Sequence, residues 1–428
     1  MARRLMASGL LVLATAAVTL LAVLLFQNLS SAEKKIDEQL PKLYETDDAE
    51  FRRSLSALLG PPLVEGNQVE TLLNGEQIFP PMLAAIRSAQ KTVNFETYIY
   101  WSGSIGREFV DALTERARAG VKVNVLLDWV GSMKMDTAML DEMKAAGVAC
   151  ERFHEPRFSH WGRLNNRTHR KLLVVDGRVG FTGGVGIADQ WRGNARNPDE
   201  WRDTHYRVTG PVVAQMQSVF LDNWMRATGE VLHGEAYFPA LLPTGSYTAQ
   251  MFSSSPSGGS ESMHLMYLLA ITAARKTIDL ANSYFVPDDL TIRTLIDAAR
   301  RGVKVRILTP SGHIDSETVR KASRSTWGPM LEAGIEFAEY QPTMFHVKGL
   351  VVDGLFASVG STNFDNRSFR LNDEANLNVM NAEFGRQQQA VFEADWAKAK
   401  RITLPQWRDR PASERVWELL ARTLRTQL

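Results

Sequence analysis

Beyond its N-terminal region, the chain alternates short apolar runs with longer stretches whose apolar positions recur every three to four residues. In the first half, the apolar runs at residues 92–100, 121–127 and 172–175 predict strands. The amphipathic stretches at residues 105–119 and 137–146 predict helices. Strands that alternate with helices in this way favour an α/β fold with helices on both faces of the sheet.

The second half of the chain carries the same alternation. Its strands are predicted at residues 277–285, 303–308 and 350–352, and its helices at residues 290–301 and 316–333. We therefore expect an α/β sandwich in each half.

The two halves also match each other in sequence. The segment KTVNFETYIYW from Lys91 is echoed by KTIDLANSYFV from Lys276, and ARAGVKVNVLL around Gly120 is echoed by ARRGVKVRILT around Gly302. Further matches follow in the same order and at a nearly constant separation. This pattern indicates an internal duplication of whole domains, which are expected to be pseudo-symmetric.

Composition marks the domain boundaries. Proline, glycine and serine accumulate between residues 239 and 259, which separates a first domain at residues 62–240 from a second at residues 241–428. Ahead of them we predict a membrane anchor at residues 1–30 and a charged helical stalk at residues 31–61.

The anchor is predicted from charge and length. Arg3 and Arg4 precede 22 uncharged residues, from Leu5 to Phe26, and a helix of that length spans a bilayer core of about 30 Å. A cleaved signal peptide is the alternative, although its apolar region is normally only about 7 to 15 residues long. The two arginines favour a cytoplasmic N-terminus and a catalytic part on the outer face of the membrane.

Overall composition is that of a large globular enzyme. The 428 residues are 44% hydrophobic and 23% charged, as in ordinary folded proteins. The formal net charge is +1, so the chain lacks the basic field that nucleic-acid-binding proteins usually carry, and no nucleic-acid partner is expected.

One polar pattern occurs twice, a histidine two residues before a lysine that is followed by four residues and an aspartate. Its members are His169, Lys171 and Asp176 in the first half and His346, Lys348 and Asp353 in the second. Because residues two apart on a strand face the same way, each half presents an imidazole and an ammonium together. The two aspartates precede glycine in a turn, so we expect them mainly to fix local structure.

Small residues follow each motif. They are Gly183 and Gly184 in the first half and Ser361 and Asn363 in the second. Small side chains let backbone N–H groups approach an anion closely, so we predict a phosphate-binding nest in each half.

Two such units facing each other suit phosphodiester chemistry. One neutral imidazole would attack phosphorus while the other, protonated, donates to the departing alcohol, and the two lysines would hold the anion. Each histidine needs a carboxylate to orient it, and Asp203 and Glu374, downstream of the motifs, are the candidates. No metal and no cofactor is required.

The doubled motif resembles that of the phospholipase D superfamily, and the resemblance covers nearly everything after residue 60. Within that superfamily the chain is similar to the bacterial cardiolipin synthases in the segments SYFVPDD, WRDTH and GSTNFDNRSFRLNDEANL. The resemblance implies two phospholipase D-like domains and transfer of a phosphatidyl group between headgroup alcohols. Typically two phosphatidylglycerols give cardiolipin and glycerol.

The same resemblance implies roles and partners. His169 would be the nucleophile that carries the phosphohistidine, and His346 would be the acid. The partners would be phospholipids, phosphatidylglycerol first and phosphatidylethanolamine second, in the inner membrane of a bacterial cell.

One departure from the family pattern stands out, and alternatives remain. Gly186 occupies the position that matches Asn363, where the family usually has asparagine in both halves. A phospholipid hydrolase is a close alternative, because water and an alcohol compete for the same intermediate. A nuclease would need a basic, aromatic-lined groove, and a non-catalytic scaffold would be expected to have lost a motif histidine or lysine.

Overall fold

The computed structural model describes residues 10, 12–23, 36–155, 165–256, 261–423 and 425. Residues 12–23 are helical and exposed. Within the part of the chain just given, no helix is both long and apolar enough to cross a membrane. The two ends of the predicted anchor lie outside the described residues.

The first half contains strands and helices in alternation. In chain order they are α1 (Ala49–Leu59), β1 (Val64–Leu73), α2 (Asn74–Ser88), β2 (Thr92–Thr97), α3 (Ser104–Arg118), β3 (Lys122–Asp128), α4 (Thr137–Ala145), β4 (Ala149–Phe153), β5 (Arg167–Thr168), β6 (Leu172–Val175), β7 (Val179–Gly183), a 3₁₀ turn (Asp189–Trp191), β8 (Thr204–Thr209) and α5 (Val213–Thr228).

The second half repeats this order with additions at its end. Its elements are β9 (Tyr247–Ser254), α6 (Ser262–Ala273), β10 (Thr277–Asn282), β11 (Phe285–Val286), α7 (Asp289–Arg300), β12 (Lys304–Pro310), α8 (Glu317–Ser325), α9 (Trp327–Glu332), β13 (Glu336–Tyr340), β14 (Lys348–Val352), β15 (Phe356–Gly360), β16 (Phe364–Asp365), α10 (Asn366–Arg370), β17 (Asn372–Met380), α11 (Ala382–Trp396), β18 (Ala399–Ile402), α12 (Leu404–Arg408) and α13 (Ala412–Arg422).

A single mixed sheet runs through both halves. Among the described residues sixteen strands join it, in the order β18-β13-β12-β10-β14-β15-β17-β9-β1-β8-β7-β6-β2-β3-β4, with β5 paired to β17. Read outward from the central β9–β1 pair, the two sides repeat each other as β17-β15-β14-β10-β12-β13 and β8-β7-β6-β2-β3-β4. The strand order therefore has the pseudo-symmetry that the sequence repeat predicts.

Side-chain caps start several of the helices. Asp136 accepts a hydrogen bond from the Ala138 backbone N–H at the start of α4, and Asp288 accepts one from Thr291 at the start of α7. Asn381 caps α11 in the same way. These short polar side chains satisfy amides that the first helical turn leaves without intrahelical partners, which fixes where each helix begins.

The predicted helix at residues 316–333 is broken in two. The α8 helix ends at Ser325, the N–H of the following Thr326 donates to the Ser323 carbonyl, and α9 begins at Trp327. Pro329 has no N–H for the carbonyl four residues earlier, so it stands in the first turn of a new helix and does not continue the old one.

The predicted stalk at residues 31–61 differs from the structure. From residue 36 to residue 48 the chain is not helical, and only α1 is. Phe51 and Leu55 of α1 are fully buried against the second half. Thr46 Oγ1 donates to Asp353 at 2.7 Å. Apolar side chains on α1 gain more from burial than from standing free, so this segment is part of the globular fold.

One hydrophobic cluster joins the two halves across the central strands. Tyr206 and Phe220 of the first half pack in the same buried cluster as Met251, Leu377 and Phe384 of the second. Burial at this scale, together with the β1–β9 pairing, fixes how the halves sit against each other. The motif histidines lie at the edge of this junction.

Candidate active site

Each motif histidine is tied by its backbone to the opposite half. His169, between β5 and β6, donates its N–H to the Asp373 carbonyl at 2.8 Å, and His346, just before β14, donates to the Arg202 carbonyl at 2.8 Å. The two motifs are therefore positioned by the same junction.

The orienting carboxylates are exchanged between the halves. His169 Nδ1 lies 2.9 Å from Glu374 Oε1, and His346 Nδ1 lies 2.7 Å from Asp203 Oδ2. The histidine of the first half thus uses a carboxylate of the second, and the reverse holds for the other pair. Both carboxylates are fully buried.

Each carboxylate has further partners that hold it still. Ser361 Oγ donates to Glu374. Trp191 Nε1 donates to Asp203 Oδ2 at 2.9 Å, and the Thr204 backbone N–H donates to Asp203 Oδ1 at 2.8 Å. With its Nδ1 facing a fixed acceptor, each imidazole turns its Nε2 the other way.

Burial sets the charge of these groups. Burial, opposed by Glu374, lowers the pKa of His169 to about 4. Burial and then the ammonium of Lys348 also lower the pKa of His346. For Asp203, burial favours the neutral acid, but the facing His346 and Lys348 outweigh it and the pKa is lowered overall. At neutral pH the site thus holds neutral imidazoles beside ionised carboxylates.

The two motif lysines are buried next to their histidines. Lys171 Nζ donates to the His169 carbonyl at 2.7 Å, and Lys348 Nζ donates to the His346 carbonyl at 2.9 Å and to Ser283 Oγ at 2.8 Å. Burial lowers the pKa of Lys171 to about 7 and that of Lys348 to about 8. An anion placed beside them would restore the ammonium form.

Both histidines open into one cavity of about 460 Å³. Aromatic side chains form much of its wall: the Tyr98 ring meets His169 edge-on at 5.2 Å, and Trp191 meets His346 edge-on at 5.2 Å. Trp201 also lines the cavity. Further lining residues that the motif did not indicate are Ile99, Arg167, Tyr284, Asp315, Val319 and Arg367.

The backbone N–H groups of the predicted phosphate-binding nest are already hydrogen-bonded within the fold. The Gly184 N–H donates to the Thr204 carbonyl, and the Ser361 N–H donates to the Ala375 carbonyl, both at 3.0 Å. Gly183 lies within the β7–β8 ladder. These amides bond to the neighbouring strand just beyond the ends of β7 and β15, so they are not aimed at an anion.

Small residues are needed there for a different reason. A Cβ on Gly184 would come within 2.1 Å of Asp203 Oδ1, and one on Gly183 would lie 2.6 Å from the His205 Cα. The glycines therefore make room for the carboxylate that orients His346.

The motif aspartates lie away from the cavity. Asp176 accepts hydrogen bonds from the backbone N–H groups of Gln90, Lys91 and Thr92, at the start of β2. Asp353 makes the same three contacts at the start of β10, with the N–H groups of residues 275–277. Both aspartates have positive φ, at 52° and 55°. Each aspartate fixes the backbone at the start of β2 or β10, which agrees with the structural role expected from its position in a turn.

The two halves of the site are chemically unequal. Asn363 lines the cavity and its Oδ1 accepts from Ser283, which also receives the Lys348 ammonium. At the matching position of the first half, a Cβ on Gly186 would lie 2.7 Å from Ile99 Cβ. An isoleucine thus takes the space beside Gly186, and the first half offers an apolar wall where the second offers an amide.

Comparison with known proteins gives a consistent result. The family model described as "Cardiolipin synthase, PLD-like domain" matches residues 82–201 and 267–396. A protein of Geobacillus kaustophilus named cardiolipin synthase is 36% identical over 366 residues, which is 85% of this chain and 73% of that protein. Cardiolipin synthase A of Pseudomonas syringae is 35% identical over 353 residues, 82% of this chain and 73% of its own length.

A solved structure shares the fold at low identity. The crystal structure of a phosphatidylserine synthase from Haemophilus influenzae superposes with a TM-score of 0.65 at 12% identity, over 89% of this chain and 100% of the other. At that identity the likeness concerns the fold alone.

Proposed function

The chain belongs to the cardiolipin synthase family of phospholipase D-like proteins and is a phosphatidyltransferase of that superfamily; from this we propose that it joins two phosphatidylglycerols into cardiolipin and releases glycerol. The membership confirms the resemblance inferred from the doubled motif. The choice of lipids and the roles of individual residues are proposals.

In the first step, His169 Nε2 attacks the phosphorus of the donor lipid. A P–N bond forms and the bond from phosphorus to the glycerol oxygen breaks. His346, which the bound phosphodiester anion favours in its protonated form, delivers its Nε2 proton to that oxygen. Glu374 accepts a hydrogen bond from the Nδ1–H of His169. This bond keeps the lone pair on Nε2 and stabilises the positive charge that develops on the ring.

In the second step, the phosphohistidine is resolved by an acceptor alcohol. His346, now neutral, takes the proton of the acceptor hydroxyl while its oxygen forms a bond to phosphorus, and the P–N bond to His169 breaks. His346 is again protonated, and the bound phosphodiester anion beside it favours that protonated form. Lys171 and Lys348 stabilise the negative charge that builds on the phosphoryl oxygens.

A single observation carries this mechanism: two imidazoles, each with a buried carboxylate on Nδ1, line one cavity from opposite halves of the chain. Aromatic and apolar side chains next to them suit a substrate with a lipid portion. Hydrolysis is the second candidate, because water could replace the acceptor alcohol at the same intermediate.

The decisive experiment uses the purified full chain with labelled phosphatidylglycerol, alone and with phosphatidylethanolamine. Cardiolipin and glycerol are the expected products, and added phosphatidylethanolamine tests the second donor. Phosphatidic acid as the sole product would favour the hydrolase, and cleavage of nucleic acid alone would overturn the lipid assignment.

The roles of the histidines are tested in the same assay. His169→Ala and His346→Ala are each expected to lower turnover by at least about a thousandfold, since each loses a covalent or proton-transfer role. Labelled phosphoryl group trapped on His169 would identify the nucleophile. Appreciable activity in both variants would rule out a two-histidine mechanism.

We place the protein at the bacterial inner membrane, with residues 1–30 as its anchor and the catalytic part on the outer face. Support comes from the uncharged run after Arg4 and from the lipid substrate. Protease treatment of intact spheroplasts, followed by detection of the C-terminus, tests the side of the membrane.

A further inference from the structure

Two guanidinium groups on the cavity wall have no part in the mechanism above. Arg167 begins β5 and Arg367 lies in α10, so each half supplies one, and both line the cavity that holds the motif histidines. Arg367 donates to the side chain and backbone oxygens of Asn165, and Arg167 donates to the Asn166 carbonyl at 2.8 Å. Bonds to neighbouring residues of one segment hold the two cations on the same wall.

The two guanidinium groups lie close enough to act on each other, with three carboxyl groups nearby. Burial and then the proximity of Arg167 lower the pKa of Arg367, which means that the two cations repel each other in partly buried positions. Of the acidic side chains nearby, Asp315 accepts from the Tyr284 hydroxyl. Asp128 accepts from the backbone N–H groups of Gly131 and Thr168, and burial raises its pKa to about 6. Asp365 caps α10, and burial raises its pKa to about 7. An anionic ligand between the arginines would relieve the repulsion.

The proposed reaction brings two phosphates into one cavity. The donor phosphate must sit between the motif histidines and lysines, whereas the acceptor phospholipid keeps its own phosphate one glycerol away from the attacking hydroxyl. We propose that Arg167 and Arg367 bind the phosphodiester of the acceptor lipid. This inference rests on the proposed function, and it explains why an acceptor with a phosphate would be preferred over water.

A competition experiment isolates the acceptor step. Labelled phosphatidylglycerol is incubated with enzyme and ethanol, and both cardiolipin and phosphatidylethanol are measured. The two products arise from the same intermediate, so their ratio is independent of how fast the donor is cleaved. We expect the ratio of cardiolipin to phosphatidylethanol to fall about tenfold in Arg167→Gln and in Arg367→Gln. Lysine at either position should restore part of it.

Arg300→Gln is the matched control, since Arg300 is exposed on α7 and should leave the ratio unchanged. Phosphatidylethanol formation itself reports a folded enzyme. If Arg367→Gln makes neither product, the product ratio of Arg167→Gln decides whether the acceptor site exists. An unchanged ratio, with both products falling together, overturns the acceptor site. Absence of cardiolipin with the unaltered protein overturns the proposed function and the acceptor site with it.

A second, independent observation concerns the last helix, α13, whose polar and apolar sides are reversed. Trp417 and Leu419 are 58% and 63% exposed, and Val416 and Leu420 are exposed as well, whereas Glu418 is 2% exposed. These four apolar side chains face outward and the charged Glu418 faces inward, against the usual preference of a surface helix.

The buried charge of Glu418 is paired, and the buried side of α13 packs beside the cavity. Glu418 pairs with Arg410 at 2.7 Å and with Arg324 at 3.5 Å. Ala421 of α13 packs in one buried cluster with Val319, and Val319 lines the active-site cavity. The α13 helix therefore lies beside the cavity that would take the lipid, with its apolar face turned to solvent.

We infer that α13 docks on the surface of a bilayer that contains anionic phospholipid. Its exposed tryptophan and leucines would enter the interface, while Arg415 and Arg422 on the same helix would meet lipid phosphates. The inference rests on a phospholipid substrate, because only then must the cavity face a membrane.

A dye placed on the helix tests this in the full chain. Because Cys150 is buried, Leu420→Cys can be labelled selectively with an environment-sensitive fluorophore, and Leu242→Cys, an exposed leucine elsewhere, is the control. Vesicles of phosphatidylglycerol should shift the emission of the α13 dye to shorter wavelength and leave the control unchanged. No shift, or a shift that depends on protein concentration without lipid, overturns the bilayer assignment, the latter in favour of a second copy.

Discussion

At the scale of single residues, the chemistry depends on where charge is buried. Two carboxylates remain ionised without solvent because a histidine and a lysine face each of them, and two lysines are held near the point of losing their protons. Such a site gains stability when a phosphodiester anion enters, which is the requirement for binding a charged lipid in an apolar setting.

The lysines predict the pH dependence. With pKa values of about 7 and about 8, Lys171 and Lys348 lose their charge as the pH rises through that window. We expect kcat/KM to fall above about pH 8, whereas His169, with a pKa of about 4, stays neutral and nucleophilic down to about pH 5. Lys171→Arg should show lower activity and a fall that begins about one pH unit higher, because only Lys348 still loses its charge. A flat profile to pH 10 in the unaltered enzyme would contradict this.

Gly184 offers a test of the carboxylate position. The added Cβ in Gly184→Ala would meet Asp203 Oδ1 at 2.1 Å, so the carboxylate must move from His346. We expect turnover to fall by about a hundredfold or more while most of the free energy of unfolding is retained. Gly312→Ala is the control, because its Cβ would meet nothing within 4 Å and its activity should be unchanged. Equal activity of the two variants would refute this role.

The sequence predicted the members of the site better than their pairing. Spacing alone predicts an imidazole and an ammonium together in each half, and the structure has them so, although His169, Lys171 and His346 lie just outside the strands. Which carboxylate serves which histidine depends on contacts about 140 to 200 residues apart, such as His169 with Glu374, and no local pattern reports these. Trp191 and Arg367 were missed for the same reason.

At the scale of elements, the hydrophobic pattern was informative where strands are central. The run at residues 172–175 is β6 as predicted, and the helix at 137–146 is α4 to within one residue. The pattern predicted one helix at residues 316–333, where the structure has two with the same apolar periodicity. It also predicted a free stalk at residues 31–61, whereas α1 is amphipathic because it packs on the second half. Tertiary contacts decide both cases.

The motif aspartates should behave as structural elements. Asp176→Ala removes the acceptor of three backbone N–H groups at the start of β2, and we expect it to lower the free energy of unfolding by about 2 kcal/mol or more. Below its melting temperature the variant should keep most of its activity. Loss of turnover in a fully folded variant, judged by circular dichroism, would instead assign Asp176 a part in the chemistry.

At the scale of the whole molecule, the two repeats share one sheet and one core. The β1–β9 pair carries the sheet across the junction, and side chains from both halves share one core. The sequence predicted two domains because the repeat and the glycine-rich boundary are visible in it. It could not predict their continuity, which depends on edge strands finding each other across the junction.

Calorimetry can test whether the two halves unfold together. We expect a single cooperative unfolding transition, and Asp176→Ala in the first half and Asp353→Ala in the second should both move that same transition to lower temperature. A matched pair of variants is available because the two aspartates make equivalent contacts. Two transitions, each moved by only one variant, would mean that the halves unfold separately.

The exchange of carboxylates has a consequence for how such a protein can change over generations. After most duplications one copy is free to decay while the other keeps the original task. Under the proposed mechanism, loss of Asp203 would disable the histidine of the other copy, and loss of Glu374 would do the same in reverse. Neither copy can become a passive remnant, so natural selection acts on both as if they were one gene.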